Sequence, residues 1–162
     1  MQTITITQSR PQTSFQFMRG GSPRRDTLAA DVRDVDLERI VQKLAVQPGW
    51  TLARARRAEL DYRRFLNLRV QYPGTSLVPN RDIDEVWHGH ILDTRAYAAD
   101  CERLFGNFLH HAPAFGGGES VQLEIGFAST QGLWLDVYGE ELVDAARCEG
   151  KSCHVQSECR CR

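Results

Sequence analysis

The chain has 162 residues, enough for one domain that buries a real hydrophobic core. Hydrophobic residues make up 41% and charged residues 25%, and the formal net charge of -1 gives no overall pull toward nucleic acid or an anionic membrane. No apolar run reaches the roughly 20 residues of a membrane-spanning helix, and Met1 to Arg10 lack the apolar stretch of a secretory signal. The expected location is therefore cytoplasmic, with no membrane and no nucleic-acid partner.

Residues 1–30 read as a flexible leader. Thr3, Ile4, Thr5, Ile6 and Thr7 alternate briefly, allowing one short strand, and Gly20, Gly21, Ser22 and Pro23 then interrupt regular structure. From Asp34 the pattern turns helical. Val35, Leu37, Ile40, Val41 and Leu44 recur at helical spacing until Pro48 and Gly49 stop the run.

Thr51 is placed as the N-cap of a longer helix, whose stripe runs Leu52, Ala55, Glu59, Tyr62, Leu66 and Arg69. That helix carries Arg54, Arg56, Arg57, Arg63, Arg64 and Arg69 against only Glu59 and Asp61. A solvated basic face is the expected explanation, because long basic side chains commonly cover helix surfaces. Anion or nucleic-acid binding is the alternative.

Tyr72, Pro73 and Gly74 end this helix, and Pro79 and Asn80 prepare the next. Ile83, Trp87, His90, Thr94, Tyr97, Cys101, Leu104 and Phe108 then fall at alternating spacings of three and four, which predicts one continuous helix from Asp82 to Leu109. Gly106 marks where it ends or bends. A loop with Pro113, Gly116, Gly117 and Gly118 follows, and Leu123, Phe127, Thr130, Trp134 and Val137 read better as a last helix ending at Gly139 than as a strand, although Val121, Leu123, Ile125 and Phe127 also alternate. The expected architecture is all-α: a compact bundle of four or five helices over residues 31–146, between the leader and a Cys-rich tail at 147–162.

The chemistry concentrates near the middle of the chain. Asp84 and His88, at i and i+4, share a helix face, the geometry by which helical bundles offer a carboxylate and an imidazole to one metal. His90 points about 160° away from His88 on a straight helix. It falls on the apolar stripe, where its ring nitrogens need partners; Asp93, Tyr97, His110 and His111 are the candidates. A sheared helix end near Asp82 is the route by which His88 and His90 would converge. Four of the five histidines lie between His88 and His111. Three readings stay open: a metal site, a hydrogen-bonded structural cluster, and metal-free acid–base chemistry. The spacing matches no zinc-finger template and no His-Glu-x-x-His helix.

Asp84, Glu85, Val86, Trp87, His88, Gly89, His90, Ile91, Leu92, Asp93 and Thr94, followed by Tyr97, Asp100, Cys101, Gly106, His111 and Pro113, resemble the glycine-rich-domain-containing protein-like family. The resemblance covers roughly residues 30–140, with its specific motifs in 82–113. It implies a helical domain of loosely defined biochemical role, often in proteins with Gly- or Cys-rich tails, and it favours His88, His90 and His111 over His110. The metal-site reading therefore takes Asp84, His88, His90 and His111, with Asp93 in reserve, as ligands to zinc or iron. An open coordination position would allow hydrolysis or oxidation.

Cys148, Cys153, Cys159 and Cys161, with His154, form a second candidate, although their spacing fits no common zinc module. A soft-metal clip, a redox-active or modified peptide, and a disordered end compete there. In the non-enzymatic alternative the helical domain is a carrier or interaction module, and its cysteine tail is bound by metal or modified by a partner enzyme. Cys101, on the core stripe, reads as a packed thiol.

Overall fold

The computed structural model describes residues 28–111 and 120–144. Among these residues six helices follow one another: α1 (Ala30–Arg33), α2 (Glu38–Ala45), α3 (Leu52–Gln71), α4 (Arg81–Leu92), α5 (Thr94–Phe105) and α6 (Ser120–Tyr138). No strand occurs among the described residues. The all-α bundle expected from the periodicity is the observed fold. The leader's Thr3–Thr7 alternation and the cysteine tail lie outside the described residues.

The caps show why these segments fold where they do. Thr51 Oγ1 accepts the Arg54 amide at 3.2 Å, and Asn80 Oδ1 accepts the Ile83 amide at 2.9 Å. Each satisfies a donor that the first helical turn leaves without an internal partner. Gly106 ends α5 with φ 68°, a left-handed conformation that costs glycine little.

α3, 20 residues long, is the axis of the fold. Its fully buried Tyr62, Phe65, Leu66 and Leu68 meet Val32 and Val41 from the α1–α2 side, and Ile83, Val86 and Trp87 from α4. Each such side chain withdrawn from water stabilises the fold by about 1.5–3 kcal/mol before entropy is counted. α4 crosses close over α2 at Gly89, where an added Cβ would lie 2.7 Å from Ile40 Cγ2. α6 is tied on by polar contacts. Thr130 Oγ1 accepts from the Val78 amide at 2.9 Å and donates to the Val78 carbonyl at 2.8 Å. Tyr138 donates to the Arg64 carbonyl and accepts from the Asn67 side chain.

Two expectations are corrected. The segment from Asp82 to Leu109 is not one helix: it breaks at Asp93 into α4 and α5, which meet through Trp87–Tyr97 and His90–Asp100. Ile83, Trp87 and His90 on α4 and Tyr97 and Cys101 on α5 all face the same core, so the apolar rhythm runs through the break unmarked. Phe108, expected on the buried stripe, lies beyond the helix and is 46% exposed.

The basic face of α3 is also not simply solvated. Arg54 pairs with Asp82 at 2.7 Å and Arg56 with Glu38 at 2.7 Å, linking α3 to α4 and α2. Arg63 donates to the Val32 and Arg33 carbonyls at the end of α1, and the buried Arg64 pairs with Glu140 at 3.1 Å. The exposed pairs contribute only about 0–1 kcal/mol each, so their role is to fix how the helices sit.

Candidate metal centre

Asp84 lies in the first turn of α4, where the helix dipole favours a carboxylate. His88 follows one turn later on the same face, with its Nδ1 3.8 Å from Asp84 Oδ2. The i, i+4 geometry expected from the sequence is present.

His111 arrives from the segment after α5, and a chain of hydrogen bonds delivers it. Trp87 Nε1 donates to the Tyr97 hydroxyl at 2.9 Å. Tyr97 in turn donates to the Leu109 carbonyl, holding that buried residue against the core. The chain then places the His111 ring edge-on to Trp87, with centroids 4.7 Å apart. His111 Nε2 comes to 2.9 Å from Asp84 Oδ1, and its ring lies 4.6 Å from that of His88. One ligand atom from each of Asp84, His88 and His111 falls within 4.8 Å of the other two.

These spacings suit a small cation. Bonds of about 2.0–2.1 Å in a tetrahedral shell put ligand atoms roughly 3.3–3.4 Å apart. The Asp84 contacts are 2.9 Å from Oδ1 to His111 and 3.8 Å from Oδ2 to His88, with the whole trio inside 4.8 Å. Two imidazoles and one carboxylate are a donor set used for zinc and for non-haem iron. The trio opens on a cleft of about 630 Å³, walled also by Arg69, Leu77, Val78, Trp87 and Leu123. His110 reaches this cleft while its ring leans on Phe108. A second cleft of about 540 Å³, beside Leu135 and Leu142, contains none of the histidines.

His90 does not join the cluster, and its expected place there is corrected. It is 2% exposed on the opposite face of α4, as the helical turn angle requires. The Tyr62 hydroxyl donates to its Nδ1 at 3.0 Å, and its Nε2 meets Asp100 Oδ2 at 3.2 Å. Burial holds its pKa below the usual histidine value, against the opposing pull of Asp100. Both ring nitrogens of a neutral imidazole are thus satisfied. Asp93, held in reserve as a ligand, is exposed at the junction of α4 and α5. Cys101 is a buried free thiol, as its stripe position implied.

Sequence reasoning missed Tyr62 and Asp100 as the partners of His90. Tyr62 lies 28 residues before it, and Asp100 becomes a neighbour only through the break at Asp93. It also missed the Trp87–Tyr97–Leu109 tether, although Trp87 and Tyr97 stood on the predicted stripe.

A family model for UCP032817-like proteins matches residues 32–135, which take in Asp84, His88 and His111. The chain belongs to the UCP032817-like family. Among curated relatives of this UCP032817-like chain, Glycine-rich domain-containing protein 1 of Arabidopsis thaliana is 33% identical over 83 residues, covering 48% of this chain and 10% of that protein. Glycine-rich domain-containing protein 2 of the same plant is 32% identical over 63 residues, covering 38% of this chain and 8% of that protein. The chain therefore spans about a tenth of the length of the curated relatives it matches. The resemblance noted in the sequence is borne out by these relatives. No solved structure matches the chain.

Proposed function

We propose that this domain binds one divalent transition metal, zinc or iron, through Asp84, His88 and His111. The observation that carries the reading is the convergence of three donor atoms, from α4 and the segment after α5, within 4.8 Å at the wall of a cleft. A trio of protein ligands leaves a coordination position for water or substrate, the arrangement that distinguishes catalytic from purely structural zinc. Chemistry there would be metal-assisted hydrolysis or, with iron, oxidation. Asp84 anchors the site from a rigid helix, and Trp87 packs against His111 to fix its ring.

The competing reading is a hydrogen-bonded cluster without metal, in which Asp84 accepts the Nε2 proton of His111. The 2.9 Å contact favours it, since that bond satisfies both groups. Zinc titration against a competing chromophoric chelator separates the two. The metal reading predicts one equivalent bound by the wild type. Asp84→Asn and His111→Ala should each weaken binding by more than the roughly 10–100-fold that loss of a supporting contact costs. Absence of stoichiometric binding, or variants that bind like the wild type, would leave the hydrogen-bonded cluster as the answer.

A further inference from the structure

Five of the arginines of α3 have a carboxylate partner: Arg54, Arg56, Arg57, Arg63 and Arg64. Arg69 has none among the described residues; its one recorded bond is a donation to the Thr75 carbonyl at 3.0 Å. A guanidinium carries five donors in a fixed planar fork, so most of its capacity is unspent. Half-buried Arg69 stands in the wall of the same cleft as Asp84, His88 and His111. Burial lowers its pKa, with Tyr97 opposing the shift.

The charges of the cleft sharpen the point. Among the described residues, Arg69 and Asp84 are the charged side chains of Asp, Glu, Lys or Arg that line it. A divalent cation on the trio would add its charge to that of the Arg69 guanidinium in the same wall. Its other walls are largely apolar, with Leu77, Val78, Trp87 and Leu123 among them. Such a site asks for a ligand with an anionic head and a hydrocarbon body, and a volume of about 630 Å³ suits a small organic molecule.

Building on the metal reading above, we infer that the cleft binds a small organic carboxylate, its head shared between the metal and the Arg69 fork and its body against the apolar wall. Arg69 is the specificity-determining residue. A bidentate guanidinium–carboxylate contact is stronger and more directional than a neutral hydrogen bond, which is why a lysine at this position is no substitute.

Calorimetric titration of phenylacetate into the zinc-loaded full chain tests this, with acetate and inorganic phosphate as comparison ligands. Phenylacetate should bind more tightly than acetate, because only it fills the apolar wall. Arg69→Met should weaken it by about tenfold or more, with one zinc per chain retained. Arg69→Lys should weaken it too, and this variant decides the matter if Arg69→Met fails to fold. Unchanged phenylacetate affinity in a zinc-loaded Arg69 variant would overturn the inference and leave the metal reading standing. Binding of phosphate without phenylacetate would overturn the carboxylate assignment. A wild type that takes up no zinc would sink the metal reading and this inference together.

Discussion

His90 shows how one residue's environment decides its use. Its ring is enclosed, bonded at both nitrogens and held neutral by burial, so it serves the core. Replacing His90 with Leu leaves the buried Tyr62 hydroxyl without its acceptor. Urea unfolding should show a loss of about 1–3 kcal/mol, with zinc stoichiometry unchanged. His90 also predicts a pH dependence. Its folded pKa lies below the unfolded value of about 6.5, so its contribution is complete above that pH and is lost as pH falls through it. Asp100 and Asp93 oppose the shift and Arg63 adds to it. The urea midpoint should fall between about pH 7.5 and 5.5, and less steeply in His90→Leu. At this scale much was legible. The i, i+4 relation of Asp84 and His88, and the opposed direction of His90, follow from helix geometry alone. The partners of His90 were not, because Tyr62 and Asp100 reach it across the fold.

Among the elements, the α4–α5 junction matters most. Periodicity cannot register the turn at Asp93, since both helices present their apolar stripes to one core. Asp93 and Thr94, residue types that favour helix starts, were the available signal, although no side-chain cap forms there. The break sets Tyr97 beside Trp87 and lets it hold Leu109, which positions His111. Tyr97→Phe removes that tether. It should lower zinc affinity by roughly 10–100-fold while circular dichroism shows the helices intact. Two helix glycines give a paired prediction. Gly89→Ala drives a Cβ to within 2.7 Å of Ile40, and overpacking of about 1–3 kcal/mol should outweigh the helix-propensity gain of about 1 kcal/mol. At Gly132 an added Cβ meets nothing within 4 Å, so Gly132→Ala should stabilise by about 0.5–1 kcal/mol in the same assay.

In the whole molecule, a long central helix organises the bundle, and its arginines tie the surrounding helices to it, leaving Arg69 to the cleft. The all-α class was readable because apolar residues recur at helical spacing through most of the described chain. The site's composition was largely readable: the sequence named Asp84, His88, His90 and His111 together, and the tertiary fold gathers Asp84, His88 and His111 while turning His90 into the core. None of the helices among the described residues is long and apolar enough to cross a membrane. The cysteines near the end of the chain remain a rival source of metal binding, and the central claim is tested against them directly. The measurement is elemental analysis of tag-free, full-length protein beside two variants. One changes Cys148, Cys153, Cys159 and Cys161 to Ser; the other combines Asp84→Asn with His88→Ala. Our account predicts one zinc or iron per chain in the wild type and the serine variant, and its loss in the Asp84/His88 variant. Metal that disappears with the cysteines, or a wild type that carries none, would contradict it.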